Sequence, residues 1–158
     1  MRSRPPGRDP GIVSAPPPSG YSGTPLPKKL GLRDGMVALF VGLPPDLASL
    51  AGAAAFGAVD TAGDIALIGD GAKRDYIHLF TTSAAELAAA TPLIRAGLKP
   101  DGMAWISWPK KASKRPTDIT EDRIRDIMLP SGLVDVKVAA VDEVWSGLKL
   151  VIRKELRT

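Results

Sequence analysis

The 158-residue chain has no cysteine and a single histidine, His78. Without cysteine it can form neither a disulfide framework nor a thiolate metal site. The carboxylates are not clustered at ligand spacing, so we predict no metal site of any other kind. Ser22, Ser107 and Ser113 lack a nucleophile-elbow context. His78 lies inside an apolar run, where a core histidine with a local hydrogen bond is the default interpretation. We therefore predict no catalytic residue.

Long apolar runs are also missing. The N-terminal segment has none long enough for a signal peptide or a membrane span. Together with the absence of cysteine, this favours a cytoplasmic protein that does not contact a membrane.

Proline and positive charge are concentrated at the N-terminus. Eight of the 15 prolines lie in residues 1–27, and residues 1–35 carry a net charge of +4, which is the net charge of the whole chain. Such a segment buries too little apolar surface to offset its ordering entropy. We predict a disordered Pro/Arg-rich arm over residues 1–20 and one domain over residues 21–158. No basic stripe is interleaved with aromatic residues, so nucleic-acid binding is a minor alternative.

The rest of the chain alternates apolar runs with helix signals. Ser83 followed by Glu86 forms a capping box, and Asp118 followed by Glu121 repeats the pattern. Asp46 is expected to cap a short helix through Gly52. Further features are a turn at LKPDG, a kink or break at Pro92, a weak strand ending at Asp60, and an IALIG stretch (residues 65–69) that fits a strand or a buried loop.

Three apolar runs have the length of buried parallel strands, and two later runs alternate and are close enough to pair antiparallel. We predict an α/β fold, a single three-layer, mostly parallel Rossmann/methyltransferase-like sheet with a C-terminal antiparallel hairpin. The expected parallel strands are Met36–Gly42, Asp75–Thr81 and Met103–Trp108, and the expected hairpin strands are Val134–Asp142 and Leu148–Arg153.

This layout resembles the C-terminal half of class I S-adenosylmethionine-dependent methyltransferases, and LGLRDGMVALFVG is similar to their opening strand. A more specific set of motifs spans nearly everything after Gly20: GYSGTPLPKKLG, DYIHLF, GMAWISWPKKASK, TDITEDRIR and GLVDVKVAAVDEVWSGLKLVIRKELR. As a set they resemble an uncharacterised bacterial family, the domain of unknown function 3052. That resemblance implies a bacterial domain whose activity the family name does not state.

The methyltransferase resemblance weakens where a cofactor would bind. A glycine-rich turn should follow the first strand, but Gly42 is followed by Leu43-Pro44-Pro45, which removes backbone donors. Asp60 lies eighteen residues after Gly42, near the spacing of a ribose-binding acid, although a polar residue at a strand end is the simpler interpretation. We predict that no cofactor binds.

A basic loop gives the better candidate site, because ligands of open α/β sheets bind at the carboxyl ends of the strands. The expected ligand is a small anion held by lysines and a helix N-terminus; the simpler alternative is a solvated charged loop. The candidate residues are Thr81, Thr82, Ser83, Trp108, Lys110 and Lys111. Three functions stay open: a non-catalytic or degenerate methyltransferase-like binding module, an enzyme acting on a phosphorylated or other anionic small molecule, and a protein- or nucleic-acid-interaction domain using the basic arm.

Overall fold

The structure, a computed structural model, describes residues 24–157. The predicted arm over residues 1–20 lies outside this range. Within it, no helix is long and apolar enough to cross a membrane.

Six strands and three α-helices make up the fold, joined by short 3₁₀ segments. The strands are β1 (Val37–Val41), β2 (Ala58–Ala62), β3 (Arg74–Phe80), β4 (Leu98–Pro109), β5 (Leu133–Ala140) and β6 (Trp145–Ile152). The helices are α1 (Leu26–Lys29), α2 (Ala84–Gly97) and α3 (Glu121–Met128). The 3₁₀ segments are Pro45–Gly52, Ile65–Gly69, Lys111–Ser113, Leu129–Ser131 and Lys154–Leu156.

The strands form one sheet in the order β2-β1-β3-β4-β6-β5. Strands β2, β1, β3 and β4 are parallel, and β6 lies antiparallel between β4 and β5. This arrangement confirms the predicted fold class, with the three parallel runs at the centre and the antiparallel pair at one side. All four parallel strands therefore end at the same side of the sheet, which we call its carboxyl end.

Both faces of the sheet carry a hydrophobic core. One face packs against α2, α3 and the 3₁₀ segment Ile65–Gly69, with Leu39, Leu79 and Ile106 at its centre. The other face is covered by residues 26–36 and the 3₁₀ segment Pro45–Gly52, and it is rich in aromatic rings. A sheet that is buried on both faces explains why its central strands are continuous apolar runs.

Helix α2 begins where the capping box predicts. The Ser83 side chain accepts a hydrogen bond from the Glu86 backbone N–H at 3.1 Å. The predicted break at Pro92 is wrong, because α2 continues through it to Gly97. Pro92 and Ala88 both lie on the exposed face. Solvent can therefore satisfy the Ala88 carbonyl, which has lost its helical donor.

Five other local predictions need correction. Helix α3 is capped by Thr120 instead of Asp118, and the short helix after β1 has no side-chain cap at Asp46. The LKPDG segment is the irregular start of β4 instead of a turn, and IALIG is a 3₁₀ turn. Strand β2 ends at Ala62, two residues beyond Asp60. Asp118 is used elsewhere, because it accepts the Ala84 N–H at the start of α2, whereas Asp64 caps IALIG locally.

Candidate functional site

The loop after β1 is closely packed against its neighbours. Gly42 has φ +71°, and a Cβ atom there would lie 2.6 Å from the Phe80 carbonyl oxygen. Its N–H donates to the Ala62 carbonyl at 2.8 Å, and the Leu47 N–H donates to the Pro44 carbonyl at 2.9 Å. Pro44 and Pro45 have no N–H to offer. At four of the six loop positions, residues 42–47, the backbone donor is therefore absent or used within the fold.

A shallow cavity of about 320 Å³ lies beside this loop, between the ends of β1 and β2. It is lined by Gly42, Leu43, Thr61, Ala62 and Gly63, none of which is ionisable. A neutral group could rest there, but a carboxylate or phosphate would meet no compensating charge.

Asp60, the candidate ribose-binding acid, is directed toward Arg74 and not toward the carboxyl end of the sheet. Its carboxylate lies 3.3 Å from the guanidinium of Arg74, which also pairs with Asp70 at 2.9 Å. The hydrogen bond from Arg74 lowers the pKa of Asp70. Arg74 lies at the start of β3, away from the carboxyl end of the sheet, so Asp60 belongs to a structural ion-pair network.

The acid that does follow β2 is Asp64, which the sequence analysis did not single out. Its Oδ1 accepts the Ala66 N–H at 2.8 Å and caps the 3₁₀ segment Ile65–Gly69. The sequence analysis ended the strand at Asp60 and so missed Asp64. Had the strand been predicted to end at Ala62, Asp64 would have been the first acidic residue after it.

The threonines and serine of the candidate anion site lie together at the end of β3, but their donors are largely used. The Thr81 hydroxyl donates to Glu86 Oε1 at 2.5 Å, and its oxygen accepts the Ser83 N–H at 3.1 Å. Asp118 Oδ1 accepts the Ala84 N–H at 2.7 Å. The start of α2 thus already holds two carboxylates of this chain, which would repel a bound anion.

The basic half of the candidate site lies on the loop after β4. Trp108 is buried, Lys110 is half-buried and Lys111 is exposed. The Lys110 N–H donates to the Val144 carbonyl, which joins the loop to the β5–β6 turn. Neither lysine forms an ion pair with any residue in the described range.

Residues 117 and 118, at the end of the loop after β4, connect the two parts of the candidate site. The Thr117 hydroxyl donates to the Thr82 carbonyl at 2.8 Å, and Asp118 reaches the start of α2 as described above. The fold therefore brings the loop back to the end of β3. The anion site itself stays a prediction, and Lys110 and Lys111 are its cationic residues.

His78 is a core residue, as expected for its apolar run. Its ring is fully buried, with Nδ1 2.9 Å from the Tyr76 hydroxyl and Nε2 2.7 Å from Ser107 Oγ. It stacks on Phe80 with ring centroids 4.2 Å apart. Burial lowers its pKa from 6.5 to about 3 and raises that of Tyr76 well above 10. The imidazole is therefore neutral at physiological pH.

No group of three histidine or acidic side chains within residues 24–157 is placed to hold a metal ion.

Comparison with known proteins identifies the fold of this chain through structural similarity, not through sequence similarity. No protein-family model and no curated protein matches the chain in sequence. Several solved methyltransferases match in structure. Magnesium protoporphyrin IX methyltransferase from Synechocystis PCC 6803, solved with bound S-adenosylmethionine, is 17% identical with a TM-score of 0.57 over 80% of this chain and 74% of that one.

Two further methyltransferase structures agree. A putative type 11 methyltransferase from Sulfolobus solfataricus is 16% identical, with a TM-score of 0.54 over 82% of this chain and 90% of that one. An N-methyltransferase from Bradyrhizobium japonicum WM9 is 14% identical, with a TM-score of 0.54 over 75% and 87%. At these identities the similarity is one of fold. The chain has a class I S-adenosylmethionine-dependent methyltransferase-like fold.

Proposed function

We propose that this domain is a non-catalytic, methyltransferase-like binding module that takes a small anionic ligand at Lys110 and Lys111. The observation that carries the first part is the loop after β1. Its two prolines and its internally used N–H groups leave few backbone donors for a cofactor carboxylate. The motif set also supports membership in the bacterial domain of unknown function 3052 family. The absence of cysteine supports a cytoplasmic location.

The lysines support the second part of the proposal. They follow β4 at the carboxyl end of the sheet, where open α/β sheets bind ligands, and within the described residues neither has an acidic partner. Asp118 and Glu86 occupy the start of α2, so the helix N-terminus does not attract an anion. The positive charge of Lys110 and Lys111 does.

The second candidate function is an S-adenosylmethionine-dependent methyltransferase. It is favoured by the solved structures, one of which contains S-adenosylmethionine, and by the cavity of about 320 Å³ between β1 and β2. In that case Asp64, the acid directly after β2, is better placed than Asp60 to meet the cofactor ribose. An enzyme acting on a phosphorylated small molecule would instead use the lysine site.

Calorimetric titration of the full chain with S-adenosylmethionine, S-adenosylhomocysteine and ribose 5-phosphate separates these functions. We expect the dissociation constants of the two adenosyl compounds to be ~1 mM or higher, which corresponds to a binding free energy of about 4 kcal/mol or less. Ribose 5-phosphate should bind more tightly, and more so at low salt, where screening is least. Micromolar affinity for S-adenosylmethionine would overturn the proposal in favour of the methyltransferase.

The double variant Lys110→Ala/Lys111→Ala tests the site. It should weaken ribose 5-phosphate binding about tenfold or more, because the charge that holds the phosphate is lost. It should barely change the melting temperature, because neither lysine forms an ion pair within the described residues. The matched control Lys137→Ala/Lys154→Ala removes the same charge from β5 and the C-terminal turn and should bind as the parent does. Equal weakening in both double variants would mean that only net charge matters.

A further inference from the structure

A second cavity lies at the opposite side of the sheet, which we call its amino end. It has a volume of about 360 Å³ and lies where α2 ends, β4 begins and β6 ends. Three cationic residues and several apolar residues line it. None of these residues belongs to the candidate site described above.

The cations are Lys73, Arg95 and Lys99. Lys99 pairs with Asp75 at 3.2 Å, and the Lys73 ammonium donates to the Ala96 carbonyl at the end of α2. Arg95 has no carboxylate partner among residues 24–157, and its buried Nε–H has no acceptor there. The cavity therefore has an excess of positive charge and a guanidinium whose hydrogen bonding is incomplete.

The wall beside Arg95 depends on a glycine. Gly132 has φ +101°, and a Cβ atom there would lie 2.8 Å from Leu156 Cδ1 and 3.3 Å from Arg95 Nε. A side chain at residue 132 would therefore displace the end of Leu156 and press against Arg95 Nε. The C-terminal segment follows the same wall, because the Arg153 N–H donates to the Gly132 carbonyl at 2.9 Å.

Apolar side chains complete the lining. Leu98 and Ile152 are buried at the ends of their strands, and Leu156 packs against the same core. A bare inorganic ion would satisfy the cations but leave the exposed surface of Leu156 and Pro100 in contact with water. The combination fits an anion that also carries a compact apolar group.

We propose that this cavity is a second binding site, for a small organic phosphate or carboxylate with a compact apolar substituent. The anionic group would lie against Arg95, whose planar guanidinium matches paired oxygen atoms, with Lys73 and Lys99 adding charge. The substituent would lie against Leu156 and Pro100, the apolar lining residues that keep exposed surface. This site is independent of the lysine site at the carboxyl end, so it goes beyond the proposed function.

The test is an NMR titration of the ¹⁵N-labelled full chain with phenyl phosphate, benzoate and inorganic phosphate, and with benzyl alcohol as the neutral control. Phenyl phosphate and benzoate should shift the amide signals of residues 97–99 and 152–156. Inorganic phosphate should bind more weakly because it gains no apolar contact, and benzyl alcohol should not bind. Absence of shifts at the amino end with both aromatic anions would overturn the proposal, whatever happens at the carboxyl end.

Variants then assign the contact. Arg95→Gln should weaken phenyl phosphate binding about tenfold or more, because a charged bidentate contact is lost. Arg95→Lys, which keeps the charge and loses the fork geometry, should fall between Arg95→Gln and the parent. The matched control Lys110→Gln/Lys111→Gln should leave these shifts unchanged. If the Arg95→Lys and Arg95→Gln variants both fold and bind phenyl phosphate as the parent does, the proposed site is wrong. If neither variant folds, the amide shifts of the wild-type chain alone show whether the ligand binds at the amino end.

Discussion

At the scale of single residues, His78 shows how burial alone decides chemical behaviour. Its neighbours Tyr76 and Ser107 resemble partners in a proton relay, with separations of 2.9 and 2.7 Å. However, no part of the histidine or serine is exposed to solvent, so no substrate can reach them. The three side chains instead satisfy one another inside an aromatic core, where an unpaired polar group would be costly.

This burial makes stability depend on pH. The folded pKa of His78 is about 3, against 6.5 when unfolded, so between these values the unfolded chain binds a proton that the native chain does not. The contribution of neutral His78 is complete above pH 6.5 and is lost as pH falls toward 3. Each pH unit in this window costs about 1.4 kcal/mol.

We therefore expect the His78→Gln variant, which cannot titrate, to lose less stability than the parent between pH 7 and pH 5. The difference should be about 2 kcal/mol by urea denaturation, and other titrating groups cancel because both chains share them. Parallel pH profiles for the two chains would contradict this assignment.

At the scale of elements, the start of α2 is completed by another part of the chain. Ser83 caps it locally, and Asp118 reaches it from the loop before α3, accepting the Ala84 N–H at 2.7 Å. The negative charge also complements the positive end of the helix dipole. The feature that suggested an anion-binding helix start is thus filled by the protein's own carboxylate.

Breaking this contact should destabilise the fold. We expect Asp118→Ala to lower the free energy of unfolding by about 1 kcal/mol, as for loss of a helix cap, and Asp118→Asn to cost less because an acceptor oxygen remains. The control Asp101→Ala, at an exposed position, should be close to neutral in chemical denaturation. An Asp118→Ala variant as stable as this control would show that the contact contributes nothing.

At the scale of the whole molecule, the sheet is unevenly covered. Strand β3 is almost completely buried, whereas four of the five residues of β2 are exposed and β2 pairs only with β1. Val59 on this outer strand is 38% exposed. The cover over β2 is thin because a 3₁₀ segment follows each of β1 and β2, whereas the 14-residue helix α2 follows β3.

Native-state hydrogen exchange should reveal this gradient. We expect the bonded amides of β2 to open with a free energy roughly 2 kcal/mol or more below those of β3 and β4, because few apolar contacts oppose local opening. Protection of β2 equal to that of β3 would mean that another strand or another molecule covers the edge in solution.

The sequence alone determined the architecture, because continuous apolar runs and capping signals are local consequences of burial and helix chemistry. It identified the parallel strands, the hairpin, the start of α2 and the core histidine. The tertiary structure decided where side chains of distant segments meet. It directed Asp60 to Arg74, brought Asp118 to the start of α2, and assembled the cationic cavity beside Gly132. These features join residues that are far apart along the chain, and no periodicity or cap encodes such distances.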